Sequence, residues 1–244
     1  MSKLIVITGA GTGLGRAMAR RLAADDHRLV LLGRRLAKVE EAAQELGAGS
    51  FALACDVADP DSVDAAFAQI AEREPQIDVL INNAGVFQPF LIEEATNDQI
   101  RTALDTNLAG PIYCARAAIP LLAKGSHVIN IGSETVVEPI AMMSLYQSSK
   151  AGLERFTQTL KQELAPRGIR VTMLRASKMM GPEINAMFDP EVARRFAEEN
   201  LKLGVDNRKA AISQFDSVAE LIPWLIALPA DVHIPQLMVE ARHT

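Results

Sequence analysis

The chain has 244 residues, 49% of them hydrophobic and 23% charged, which is the composition of a globular protein with a substantial core. A formal charge of −5 and an isoelectric point near 5.5 argue against a polyanionic partner such as nucleic acid. No apolar run reaches the roughly 18 residues a membrane span needs, and Cys55 and Cys114 are too few and too far apart for a disulfide framework or a zinc spacing.

In chain order, short apolar runs alternate with amphipathic stretches. LIVI (4–7), LVLL (29–32), FALA (51–54), VLI (79–81), HVINI (127–131) and IRVTML (169–174) read as strands buried on both faces. The stretches 13–25, 36–46, 60–73, 97–123 and 145–165 read as helices between them. This alternation predicts an α/β fold: a doubly wound, Rossmann-like parallel sheet with helices on both faces. No repeat or low-complexity linker interrupts it, so residues 1–244 are expected to form a single domain. Asp59 followed by Pro60 suits an N-cap and N1, and Thr96 to Gln99 has capping-box spacing. Residues 178–214 break the rhythm, with Gly181, Pro182 and Pro190 among polar residues; one or two short helices forming a substrate lid are expected there. A helix near 216–228 and a strand near 234–239 close the chain. Pro235 lacks a donor and so places that strand at an edge or Pro235 at its start.

The first strand runs into Thr8-Gly9-Ala10-Gly11-Thr12-Gly13-Leu14-Gly15 and then a helix. Glycines in this setting permit a tight turn and let backbone N–H groups approach a phosphate at the helix N-terminus. The alternative is a glycine-rich turn that binds nothing. A dinucleotide site often carries an acid about 20 residues further on, to hold a ribose hydroxyl. Here the second strand ends in Leu31-Leu32-Gly33-Arg34-Arg35, with no carboxylate. A guanidinium at that point suits a 2′-phosphate, so NADP is expected in preference to NAD; two solvated loop arginines are the other reading.

Tyr146 and Lys150 are four residues apart in SLYQSSKAG, and Ser133 precedes Tyr146 by thirteen, at the end of a strand. Positions i and i+4 are neighbours on a helix. A free tyrosine, with a pKa near 10, is a poor base at neutral pH. An adjacent ammonium favours the phenolate and lowers that value. Alone, Y-x-x-x-K is common on helix surfaces; its conjunction with Ser133 and the glycine loop carries the weight.

These pieces resemble the short-chain dehydrogenase/reductase family over nearly the whole chain. They occur in order: T-G-x-x-x-G-x-G at 8–15, Asp56-Val57, Asn82-Asn83-Ala84-Gly85, Asn107, Ser133, Tyr146 and Lys150. The resemblance implies that Tyr146 is the acid/base and that Lys150 lowers its pKa and holds the nicotinamide ribose. It implies that Ser133 orients the substrate oxygen and that Asn107 supports a water-linked proton relay. It further implies cofactor contacts from Gly9, Gly11, Thr12, Gly13, Leu14, Gly15 and Arg34, from Asp56 and Val57 at the adenine, and from Asn83, Ala84 and Gly85 at the adjoining ribose. The implied protein is a cytoplasmic oxidoreductase acting on a small alcohol/carbonyl pair, with no metal, and assembled as a homotetramer or a dimer.

The chain departs from the family pattern in places. After the sixth strand a Pro-Gly pair is replaced by Ala176-Ser177, within Arg175-Ala176-Ser177-Lys178. Glu134 follows the serine and Glu138 lies in the same loop; each faces a polar substrate group or is a solvated carboxylate. Met142, Met143, Met179, Met180 and Met187 flank the expected site, as pocket lining or as core. The four histidines show no ligand spacing, and Cys55 reads as a buried structural thiol. Two other functions fit the same motifs: an NADP(H) sensor without turnover, and a dehydration or epimerisation.

Overall fold

The structure, a computed structural model, describes residues 2–47, 49–180 and 189–243. The strands are β1 (Leu4–Thr8), β2 (Arg28–Gly33), β3 (Phe51–Ala54), β4 (Ile77–Asn82), β5 (Leu122–Ser133), β6 (Arg170–Ala176), β7 (Met179–Met180), β8 (Ser213–Gln214) and β9 (Gln236–Met238). The helices are α1 (Gly13–Ala23), α2 (Leu36–Glu45), α3 (Pro60–Arg73), α4 (Asn97–Leu104), α5 (Gly110–Ala118), α6 (Ser144–Leu164), α7 (Pro190–Lys202), α8 (Phe215–Ala219) and α9 (Leu221–Ala227). Seven strands form one parallel sheet in the order β3-β2-β1-β4-β5-β6-β9, while β7 and β8 pair apart from it.

The central strands are largely apolar because both faces are covered. Side chains alternate across the pleat. Ile5, Ile7, Leu29 and Leu31 therefore pack with Leu14, Met18 and Leu22 of α1 and Ile222 and Leu225 of α9. Leu4, Val6, Val30 and Leu32 meet Val63, Phe67 and Ile70 of α3 and Leu160 and Leu164 of α6 on the other face. Each such large side chain contributes about 1.5–3 kcal/mol on full burial. Among the described residues, no helix is long and apolar enough to cross a membrane.

Both predicted helix starts are present. Asp59 accepts from the Asp61 N–H at 3.0 Å ahead of Pro60, and Thr96 and Gln99 form the reciprocal capping box.

The helix expected over 97–123 is broken. α4 runs into a π-turn, Asp105–Ala109, in which the Gly110 N–H reaches back to the Asp105 carbonyl. Pro111 supplies no N–H, so the ladder cannot continue in α register across it. A 3₁₀ turn, Ile119–Leu121, ends the segment, and β5 begins at Leu122 rather than near 127. The helix expected over 216–228 is likewise two pieces, α8 and α9, with Pro223 just inside the second. β9 is an edge strand and Pro235 stands immediately before it, its carbonyl accepting from the Met173 N–H. Of the segment 178–214, the structure places β7, α7, a 3₁₀ turn (Asn207–Lys209) and β8. Gly181, Pro182 and Met187 lie outside the described residues, so the expected lid is seen only in part.

The chain passes from β1 outward to β2 and β3, then returns to β4 on the other side of β1. In open parallel sheets such a reversal leaves a crevice at the carboxyl ends of the strands, where ligands bind. Thr8, Asn82 and Ser133 are the last residues of β1, β4 and β5. All three open onto that edge.

Candidate active site

At the end of β1 the glycine loop is held in shape by side chains whose bonds no motif announces. Thr8 Oγ1 accepts from the N–H groups of Asn83 and Ala84, both at 3.0 Å. The Asn83 amide donates back to the carbonyls of Thr8 and Gly9. Gly9 has φ +66°, and a Cβ there would stand 2.8 Å from the Ala84 Cα, so only glycine fits this turn. The two loops are thus one rigid unit, and the Asn83 side chain is committed to it rather than turned to a ligand.

Beside this unit lies a cleft of about 580 Å³. Gly9, Gly11, Thr12, Leu14, Arg34, Asp56, Val57, Asn83, Ala84 and Gly85, all predicted cofactor contacts, line it. Gly13 and Gly15 do not. Gly13 opens α1 at φ +55°, and Gly15 packs against the Gly9 carbonyl behind the loop. Thr12 is the N-cap of α1 yet its side chain makes no capping bond, and no acid stands in the first turn. The positive end of α1 thus lies beside the cleft, with Thr12 and Leu14 lining it. Arg34 and Arg35 line the same cleft, exposed, with no ion pair among the described residues. Lys38 joins them there, held by Glu41 at 2.9 Å. Asp56 uses one carboxylate oxygen on the Ala58 N–H. A cationic rim beside a glycine-lined cradle fits a dinucleotide carrying an extra phosphate. Cys55 also borders the cleft, its thiol pushed by burial up to about 12 and so unreactive.

Gly85 joins the cleft to the second half of the site: a Cβ there would lie 3.3 Å from Asn107 Oδ1 and 3.6 Å from Lys150 Nζ. Ser133 ends β5, and Tyr146 and Lys150 lie one turn apart near the start of α6. Asn107 sits in the π-turn. Its Oδ1 accepts from the Val86 N–H at 2.8 Å, and its Nδ2 donates to the Val86 carbonyl at 2.9 Å and to Ser149 Oγ at 3.2 Å. Ser149, which stands in no recognised motif, donates to the Tyr146 carbonyl at 2.7 Å. The four predicted catalytic residues are thus brought together by α6, β5 and the π-turn.

The expected effect of Lys150 on Tyr146 is not met among the chain's own groups. Lys150 Nζ donates to the Ile131 carbonyl at 2.9 Å and stands 6.0 Å from the Tyr146 ring centroid. Burial raises the Tyr146 phenol above its ordinary value, and the hydrogen bond with Ser133 pulls it down. Burial pushes Lys150 down to about 8. Helix spacing brings the two residues together but does not aim the ammonium at the phenol oxygen.

The departures from the family pattern also resolve. Glu134 accepts from the Lys178 N–H at 2.8 Å and so ties the Ser133 loop to the segment after β6. Glu138 is exposed. Ser177 pairs with Ser213 at 3.1 Å, and Arg175 forms a two-point pair with Glu154. Gln147, next to Tyr146, donates to the carbonyls of Thr135 and Glu138 and accepts from the Ile140 N–H, holding the loop 134–140 in place. Met142 and Met143 are buried. Phe87 bridges the two halves: it borders the cleft and packs edge-on against Tyr146 with ring centroids 5.1 Å apart.

The buried Lys150 gives a stability test. Its folded-state pKa is depressed, so the folded protein loses this proton near pH 8 while the unfolded chain keeps it to about 10.4. Below pH 8 burial of the charge therefore costs stability, and that cost fades as pH rises through this window. Lys150→Met removes it, less the bond to Ile131. Thermal denaturation at pH 7 is expected to show Lys150→Met more stable by about 1–3 kcal/mol, a rise of a few degrees in Tm. The gap should narrow near pH 10. A Lys150→Met chain less stable than the parent at pH 7 would show that the ammonium is well satisfied where it lies.

Comparison with known proteins agrees with this geometry. A family model described as short chain dehydrogenase matches residues 3–187. The chain is 34% identical over 216 residues to carbonyl reductase family member 4 of Danio rerio, covering 88% of this chain and 89% of that protein. It is 29% identical over 236 residues to the NADP-dependent 3-hydroxy acid dehydrogenase YdfG of Salmonella typhi, covering 95% and 92%. Among solved structures, a short chain dehydrogenase from Burkholderia cenocepacia in complex with NADP superimposes with a TM-score of 0.83 at 28% identity, over 98% and 96% of the two chains. A closed form of serine dehydrogenase complexed with NADP+ gives 0.83 at 26%, over 97% and 94%.

Proposed function

The chain belongs to the short-chain dehydrogenase/reductase family, and on that premise we propose that it is an NADP-dependent oxidoreductase interconverting a small alcohol and its carbonyl. The observation that carries this reading is the convergence of Ser133, Tyr146, Lys150 and Asn107 beside a cleft with a cationic rim. NADP, when bound, supplies or accepts the hydride. Arg34 and the cleft-lining residues of the glycine loop, Gly9, Gly11, Thr12 and Leu14, would hold its phosphates, with Asp56 and Val57 toward the adenine. The chain's own work is on the proton. Ser133 donates a hydrogen bond to the substrate oxygen, and Tyr146 passes the proton to or from that oxygen. Lys150 is 3.6 Å from where a Gly85 side chain would start, so its charge is placed for a ribose hydroxyl of the cofactor, one turn along α6 from the phenol. The π-turn at Asn107 departs from regular helical bonding, which suits the water-linked proton relay to Lys150 that the family resemblance implies.

A panel of carbonyls and alcohols followed by NADPH absorbance tests this. Reduction needs the protonated phenol and the charged Lys150, so kcat/KM for reduction is expected to hold at neutral pH and fall above about pH 8. An NADP(H) sensor would bind cofactor and turn over nothing. An epimerase or dehydratase would convert substrate with no net absorbance change. The complete Ser133, Tyr146, Lys150 and Asn107 set favours turnover, since a sensor needs no proton relay. We also read the chain as a homo-oligomer, a tetramer before a dimer. Light scattering giving the 26.4 kDa monomer mass would refute that.

A further inference from the structure

α7 presents an anomaly. Exposed and half-buried along its length, it has one buried residue among the described ones, and that residue is polar: Asn200, with no exposed surface. An amphipathic helix docks through apolar side chains. Here the docking group is an amide, and its bonds outside the helix go to a single backbone residue. Asn200 Oδ1 accepts from the Ala141 N–H at 2.9 Å, and Nδ2 donates to the Ala141 carbonyl at 3.3 Å. Nδ2 also donates to the Phe196 carbonyl one turn earlier, which fixes the side chain's rotamer.

Ala141 matters because it leads directly into the start of α6. Met142 is held at φ +65°, a conformation that favours glycine, and its carbonyl accepts from the Phe90 N–H at 3.0 Å. The Met143 carbonyl then accepts from the N–H of Gln147, the neighbour of Tyr146, in the first turn of α6. From the other side, Phe196 packs edge-on against Phe87 at 6.3 Å, and Phe87 packs edge-on against Tyr146 at 5.1 Å. Two contacts of α7 thus converge on Tyr146, one through backbone and one through rings.

We propose that Asn200 is a positioning residue that registers α7 against the loop leading into α6, so that seating α7 and completing the Tyr146 site are one event. The ion pair that α7 makes outside itself among the described residues, Arg195 to Glu94 at 2.7 Å, lies on the surface and is worth little. The kinetic consequence rests on the oxidoreductase reading; the structural coupling does not.

The test compares Asn200→Leu, which keeps the bulk and deletes both bonds to Ala141, with Arg195→Ala. Asn200→Leu is expected to lower kcat by about tenfold to a hundredfold at an assay temperature where it is fully folded, the scale of a small misplacement of a reacting group. NADPH affinity should stay within about twofold, because no described residue of α7 borders the cofactor cleft. Arg195→Ala should leave kcat within about twofold. A kcat of Asn200→Leu equal to the parent's, in folded protein, overturns the proposal. Hydrogen exchange on the parent chain decides the matter where the variant does not fold or where no substrate is turned over. The amides of Ala141 and of α7 should exchange together, with matching opening free energies. Exchange of α7 that leaves Ala141 protected would overturn the coupling while leaving the oxidoreductase reading intact.

Discussion

Tyr146→Phe is expected to lower kcat for carbonyl reduction by about 10²- to 10⁴-fold, the range over which a positioned acid/base contributes. The substitution removes one oxygen. The ring contact with Phe87 survives, Ser133 keeps its partner Thr135 at 2.9 Å, and Lys150 keeps its bond to Ile131. Folding stability and NADPH affinity should therefore change little, which separates loss of the proton donor from loss of the site. Ser133→Ala should cost less, because the phenol remains to protonate the oxygen. Isothermal titration gives the cofactor affinity, and steady-state assays on a substrate found in the panel give the turnover. A Tyr146→Phe chain with near-parental kcat would remove Tyr146 from the chemistry.

NADPH is expected to bind about ten- to a hundredfold more tightly than NADH, and Arg34→Ala to lose most of that preference. A charge-assisted contact is worth about 1.5–3 kcal/mol, and each 1.4 kcal/mol is about tenfold in affinity. Arg34 lines the cleft with no ion pair among the described residues, so its charge is available to a 2′-phosphate without first breaking a bond. Lys38 already shares its ammonium with Glu41, so Lys38→Ala should have the smaller effect. No carboxylate ends β2 to grip a ribose hydroxyl, so NADH affinity should be nearly unchanged by Arg34→Ala. Raised salt should narrow the gap between the two cofactors, since the contact is at the exposed rim. Equal dissociation constants for NADPH and NADH in the unmodified chain would mean that the β2 turn carries no phosphate preference.

The sheet is legible in the sequence because its strands are apolar on both faces and its helices are not; that contrast of period is local and survives in any window of sequence. The capping residues Asp59 and Thr96 are legible for the same reason, since a cap bonds within three residues. The helix 97–123 misleads because its apolar pattern runs on, while Gly110-Pro111 and Pro120 interrupt the hydrogen-bond ladder beneath it. Those prolines are the available signal for the π-turn that holds Asn107.

Residue type and short spacing carry the order and kind of elements, the glycine loop, the absence of a carboxylate after β2, and the set Ser133, Tyr146, Lys150 and Asn107. The chain holds all of these without folding. How polar side chains distant in sequence share their bonds is settled only by the packed molecule. Thr8 reaches across 75 residues to the N–H of Asn83, Asn107 across 42 to Ser149, and Asn200 across 59 to Ala141. Lys150 donates to the Ile131 carbonyl rather than to the phenol beside it, because β5 passes under α6 at that level. A hydrogen bond is short and directional, so its partner is fixed by where the strands and helices bring the backbone, and spacing along the chain holds no record of that.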